Sequence, residues 1–185
     1  MITRLDLTSA RLRIRHFHMR DLEDCIRFRR DVFGLDERRE SAEAWLLWTI
    51  DSYRELAKLG QPPYADYALE QLGSGEFVGA VGIVPTLVPW GALSGDATDG
   101  KLSPEVGLFW GIMPAYRRRG YASEAGQALL EFLFGTMNLR QVVATTEHEN
   151  IASQKTMKRL GMTLYANPLS EPAWCQVVGK CEIPR

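Results

Sequence analysis

The chain has 185 residues, with 22 Lys and Arg against 23 Asp and Glu for a formal net charge of -1, and it is 45% hydrophobic and 24% charged. That length fits one domain with a real core, so a small disulfide-stapled module is not indicated, and the balanced charge argues against a general nucleic-acid or membrane-surface binder. No stretch approaches the roughly 18 to 20 apolar residues of a membrane span, and the opening MITRLDLTSARLRIR lacks an apolar signal core, so the protein is expected in the cytoplasm.

The first predicted element is a half-buried strand over Arg11 to Phe17, where Leu12, Ile14 and His16 alternate with arginines. Met19 to Phe33 reads as a helix, with Leu22, Cys25, Ile26, Arg29 and Phe33 at three-to-four spacing and Gly34 as its stop. A second helix is predicted from Ser41 to Leu59, with Trp45, Leu46, Trp48, Tyr53 and Leu56 mainly as its core face, before Gly60 and the breaker pair Pro62-Pro63. Tyr64 to Gln71 and Glu76 to Val84 then read as paired strands around Gly73-Ser74-Gly75. Pro85 to Pro104 gathers Pro, Gly, Ser and Asp and reads as a long irregular loop of the kind that often serves function.

The second half changes character. Glu105 to Ile112 is a strand apolar on both faces, Gly120 to Phe134 an amphipathic helix, Gln141 to Thr146 a strand, and Asn150 to Leu160 a helix stopped by Gly161. Strand, helix, strand, helix is a βαβ unit with parallel strands. Two more strands, Met162 to Ala166 and Trp174 to Cys181, complete an α+β fold with hairpins first and a crossover later. Cys25, Cys175 and Cys181 are an odd count with no CxxC and no His at a metal spacing; they read as buried small hydrophobes, and no metal site is expected.

The most specific segment joins the central strand to its helix. Pro114 ends the strand, and Arg117-Arg118-Arg119-Gly120-Tyr121-Ala122 leads directly into the helix. A helix start presents unpaired N–H groups and a positive dipole end, Gly120 lets an anion approach the backbone, and three arginines add charge and forked donors. These residues read as an anion site that a phosphate could approach, although a solvated basic turn would carry the same residues. No Gly-Lys-Ser/Thr follows, which disfavours a nucleotide P-loop.

With those residues the chain resembles the GNAT family of acyl-CoA-dependent N-acetyltransferases. Arg117, Gly120 and Ala122 match the family's pyrophosphate loop, and Asn150-Ile151-Ala152-Ser153 running to Leu160-Gly161-Met162 looks like its downstream Asn-x-x-Ser helix. The opening Ala10-Arg11-Leu12-Arg13-Ile14-Arg15 with Asp21-Leu22 looks like the Rim-type branch, which acetylates protein N-termini and various small amines. The resemblance implies one GNAT-like domain over residues 1–185. Its mixed, twisted central sheet would have about six to seven strands flanked by helices, with parallel, splayed central strands. It also implies acetyl-CoA as co-substrate, with pantetheine along the strand ending at Gly111 and Ile112, pyrophosphate on Arg117 to Ala122, and further contacts from Asn150 and Ser153. The acceptor would be a small-molecule amine or a protein N-terminus, with no metal, nucleic acid or membrane, in a monomer or homodimer.

Such a reaction needs a group to take the amine's proton and another to stabilise the departing thiolate. Glu105, at the start of the central strand, is the expected proton acceptor; Glu147, His148 and Glu149 are rivals that also suit a plain exposed turn. Asn150 is placed as an N-cap that also meets the cofactor. Many family members carry a tyrosine four residues beyond the serine as the thiolate acid; that place here is Met157, which shifts the role to Ser153. Tyr121 and Trp110 are rim or core aromatics. A non-catalytic acyl-CoA-binding sensor and a protein-interaction module with an incidental arginine turn are the alternatives.

Overall fold

The structure is a computed structural model that describes residues 5–96, 98–168 and 171–183. Its strands are β1 (Leu7–Thr8), β2 (Leu12–Arg15), β3 (Ala65–Gln71), β4 (Phe77–Val88), β5 (Ser103–Ile112), β6 (Gln141–Thr146), β7 (Thr163–Ala166) and β8 (Val177–Glu182). Its helices are α1 (Leu22–Phe33), α2 (Arg39–Lys58), α3 (Trp90–Leu93), α4 (Tyr121–Glu131) and α5 (Ile151–Arg159). The strands form one mixed sheet in the order β1-β2-β3-β4-β5-β6-β8-β7. Eight strands replace the expected six to seven, the extra one being the two-residue β1. By packing, the chain divides into two compact units, and β4 and β5 each run from one into the other.

The first unit takes residues up to Ile83 and Phe109–Ala128. Here β2, β3 and β4 are antiparallel, with Ile14 opposite Leu69 and Asp66 opposite Gly82. Helices α1 and α2 cover one face, where Phe17, Cys25, Phe28, Leu46, Ala68, Phe77 and Ala80 form a buried cluster. Leu22, Cys25 and Phe28 are the buried stripe of α1, and Gly34 at φ 69° closes that helix with its N–H donating to Arg30 O, while Leu35 N–H reaches Arg29 O. Burial pushes the Cys25 thiol up to about 12, with Asp21 and Asp24 adding to the effect, which fits an inert packing role.

Two expectations fail in this unit for stated reasons. Arg15 was grouped with the outward arginines of the first strand, but it is buried, donating twice to Asp21 and once, at 2.7 Å, to Glu70. A buried guanidinium needs such partners. Trp48 is 67% exposed, because Ala42, Leu46 and Thr49 set the buried stripe of α2 and a residue two beyond Leu46 lies about 200° around the helix.

The second unit takes Val84–Leu108 and the residues from Leu129 on. Strand β6 is parallel to β5 at Gly107 opposite Val143, and antiparallel to β8, which pairs in turn with β7. The predicted loop from Pro85 to Pro104 is regular in part: β4 continues to Val88, α3 makes one turn and β5 starts at Ser103, while the described residues between Leu93 and Ser103 are irregular and Ala97 lies outside the described residues. Residues 84 to 88 alternate between inward and exposed positions, with Pro85 outward, and a proline in such a place leaves the strand intact. At the far end of the amphipathic helix, Phe132–Thr136 forms a single π turn after α4. The last strand starts later than predicted, because Ala173–Cys175 is a 3₁₀ turn and Trp174 is exposed.

Candidate functional site

In the first unit β5 ends at Ile112, and Pro114–Tyr116 makes one 3₁₀ turn. Arg117 Nε donates back to the Ile112 carbonyl at 3.0 Å, and Arg119 Nη2 to Ala115 O at 3.1 Å with its guanidinium over the Tyr116 ring. Both contacts tie the loop to itself. Arg118 at φ 63° and Gly120 at φ 82° are left-handed, and that pair of turns delivers the chain into α4 at Tyr121. An L residue in that conformation costs on the order of 1 kcal/mol, so the Arg118 geometry is held by its surroundings.

Around Gly120 the space is open: a Cβ there would meet only Arg11 Nη2, at 3.5 Å. The first-turn N–H groups that follow have no carbonyl partner within their helix. Among the described residues none of Arg117, Arg118 and Arg119 forms an ion pair, so three guanidinium charges stand uncompensated at a helix start. Gly111 serves packing as well, since a Cβ on it would meet Phe28 Cζ at 2.8 Å.

Arg11 is a member of this region that sequence reasoning did not assign to the site. Its guanidinium lies 4.7 Å from the centroid of the buried Tyr121 ring, and it grips Glu124 in the first turn of α4 through Nε at 2.7 Å and Nη2 at 2.6 Å. Ser9 Oγ and the Arg11 backbone N–H donate to the other carboxylate oxygen, each at 2.7 Å. Burial pushes the Glu124 carboxyl up, but these donors outweigh it and hold it below the usual range. Tyr121 is therefore a packing residue beneath Arg11, and the start of α4 is fixed by this clamp.

In the second unit, Glu105 is half-buried on β5. It accepts from Trp90 Nε1 at 2.6 Å on one oxygen and from Gln141 Nε2 at 2.7 Å on the other. Trp90 is braced edge-on by Tyr165, with Lys180 Nζ near both rings. Each carboxylate oxygen keeps a further lone pair. Trp90 and Gln141 were not assigned in the sequence; the only signal was Trp90 in a segment marked for function.

Asn150 caps α5, its Oδ1 accepting from Ser153 N–H at 3.1 Å. The Ser153 hydroxyl has no partner among the described residues, whereas Thr156 Oγ1 donates to Ala152 O within the helix. Met157 is fully buried, with its sulfur 3.0 Å from where a Gly179 Cβ would lie, so the place of the family's tyrosine points into the core. Glu147, His148 and Glu149 form an exposed turn, pinned by His148 N–H donating to Gln176 Oε1 and Gln154 Nε2 to His148 O.

A family model described as an acetyltransferase (GNAT) domain matches residues 11–163. The chain belongs to the GNAT acetyltransferase family. A 63-residue stretch is 48% identical to an uncharacterized N-acetyltransferase, YnaD, of Bacillus subtilis strain 168; it covers 34% of this chain and 36% of that relative, so the chain spans about a third of the curated protein it matches. An acetyltransferase structure from Agrobacterium tumefaciens strain C58 superposes with a TM-score of 0.71 at 23% identity, covering 99% of this chain and 97% of the other. RimL, a ribosomal L7/L12 α-N-protein acetyltransferase solved with coenzyme A, gives 0.68 at 15% identity over 97% and 98%. Both structures share the fold, and the second belongs to the Rim-type branch suggested by the sequence.

Within this GNAT chain the sequence-marked residues fall into two sets. Gly111, Ile112 and Arg117 to Ala122 are joined in the first unit by the Arg117–Ile112 bond, and Asn150 and Ser153 by the cap in the second. The hydrogen bonds of Glu105 run to Trp90 and Gln141, which belong to neither set. The open backbone at Gly120 and the unpaired guanidinium groups suit a pyrophosphate. No described group of three or more His, Cys, Asp and Glu could hold a metal, and no described helix is long and apolar enough to cross a membrane.

Proposed function

We propose that this GNAT-family chain, acting as one domain over residues 1–185 in the cytoplasm, transfers the acetyl group of acetyl-CoA to a primary amine of a small molecule or a protein N-terminus. The observation that carries the reading is the left-handed pair Arg118 and Gly120, which leads three unpaired arginines into the start of α4 inside the family match. The backbone of Arg119 to Ala122 takes the pyrophosphate, with Arg117 to Arg119 adding charge, and Gly111 and Ile112 lie along the pantetheine. Acetyl-CoA supplies an activated acyl carbon as its thioester.

The rest falls to the chain's own side chains. Glu105 takes the proton that the attacking amine gives up, its carboxylate aimed by Trp90 and Gln141. The unengaged hydroxyl of Ser153 donates to the departing sulfur as the C–S bond breaks and the C–N bond forms. Asn150 holds the helix start that presents it and offers its amide to the cofactor. The test is a screen with acetyl-labelled acetyl-CoA against primary amines and peptides with free N-termini. Label recovered in an amide product supports the reading, and no transfer to any acceptor by folded protein rejects it.

A further inference from the structure

Asp66 lies on β3 directly opposite Gly82 of β4. Side chains alternate along a strand, so Asp66 shares a face with Ala68, which is buried beneath α1 and α2. A carboxylate at the margin of that apolar cluster is costly unless something pairs with it. Among the described residues none does: no hydrogen bond or ion pair reaches its side chain. The guanidinium nearest in effect, Arg29, is committed elsewhere, to Glu37 and the face of Trp45.

The space above Gly82 belongs to this carboxylate. A Cβ on Gly82 would stand 2.6 Å from Asp66 Oδ1 and 3.1 Å from both Ala65 O and Phe109 Cδ1, so the carboxylate oxygen and the ring edge crowd the bare face of Gly82 and lie close to each other. The Phe33 ring lies 5.7 Å from that of Phe109. Asp66 is half-buried, and its carboxylate oxygens are not among the fully buried, unpartnered side-chain atoms of the described residues.

We infer that Asp66, beside the Phe109 ring against which Phe33 packs, binds the cationic group of the acceptor amine, and that it is a specificity-determining residue of the transfer. The inference rests on the acetyltransferase reading for the word acceptor, and on Asp66, Gly82 and the two rings for the site. A carboxylate beside aromatic faces is the complement of an alkylammonium ion: one supplies the opposite charge, the others attraction for the cation and cover for its chain. Burial pushes the Asp66 carboxyl up to about 6, with Arg29 pulling the other way, so the group is still ionised near neutral pH. An unpaired carboxylate kept in such a place fits a functional role better than a structural one.

The test is a titration of the protein with n-butylamine at pH 7.5, with and without CoA, followed by NMR amide shifts, with neutral 1-pentanol as the control. The expected result is saturable binding of butylammonium that moves the Gly82 and Phe109 amides, with pentanol at least about tenfold weaker. Asp66→Asn should weaken butylammonium binding at least about tenfold and leave CoA affinity unchanged. Gly82→Ala, whose methyl group displaces the carboxylate without removing it, should weaken it too. Equal binding by wild type and Asp66→Asn, or no butylammonium binding by folded wild type, overturns the inference. Failure of the acetyltransferase reading looks different: no CoA binding or no acetyl transfer to any amine, whatever Asp66 does with the cation.

Discussion

Replacing Asp66 by Asn removes a charge and keeps the shape, so its effect on stability should depend on pH in a calculable way. Burial raises this carboxyl from 3.8 in the unfolded chain to about 6 in the folded one. The folded state thus favours the protonated form. The stability Asp66 contributes is fully present below pH 3.8 and is lost as pH rises through about 6. At about 1.4 kcal/mol for each pH unit, the loss is complete at neutral pH and amounts to about 3 kcal/mol. Asn cannot ionise, so Asp66→Asn should match wild type near pH 3 and exceed it by up to ~3 kcal/mol near pH 7.5. For a chain of this size that is a rise of roughly 6 to 12 °C in Tm. Thermal and urea melts across pH 3 to 8 measure the gap. Parallel curves with no widening above pH 4 would refute the claim that this carboxylate is unpaired.

The loop makes the next prediction: Gly120→Val should fold, since little stands near that Cβ, but strain at φ 82° and bulk over the helix start should weaken CoA binding at least about tenfold by calorimetry. Glu105→Gln should lower kcat by on the order of 10²- to 10⁴-fold near pH 7 with CoA affinity retained. Its new amide group also faces the Trp90 or Gln141 donor, so a loss of about 1 to 3 kcal/mol in urea melts is expected beside the kinetic effect. A rate within threefold of wild type would move the proton acceptor elsewhere. Ser153→Ala should depress kcat more than it raises KM for acetyl-CoA, with Tm nearly unchanged because the hydroxyl bonds nothing in its helix; a lowered Tm with unchanged kcat would leave it a structural residue.

What could be read from the sequence was local. Pro114, Gly120, Asn150 and Gly161 each fix the backbone within a few residues, so the strand, the loop, and the start and stop of α5 fall where their order puts them. The short β1 and α3 and the 3₁₀ and π turns were not foreseen, and several element ends, those of β2, β4, β5 and β8 among them, shifted. Tertiary partnerships were not legible. Glu124 is held by Arg11 across 113 residues, and Glu105 by Gln141 across 36, and no periodicity signals either pair. Arg15 shows the same limit: strand alternation describes it as polar, and only the fold supplies the Asp21 and Glu70 that let it be buried. Asp66 reads as one more acidic residue in a strand until the structure places Gly82 opposite it and leaves its carboxylate without a donor among the described residues.

The central claim is amine-dependent transfer from acetyl-CoA, and the most direct test follows free thiol and product together. Wild type is mixed with acetyl-CoA and a panel of primary amines, thiol is measured by a chromogenic reagent, and acetylated amine by mass spectrometry. The account predicts thiol release that depends on an amine, in equal amount to acetylated product, and strongly reduced in Glu105→Gln. Tight CoA binding with no amine-dependent thiol release would contradict it and make the chain a binding protein on an acetyltransferase fold.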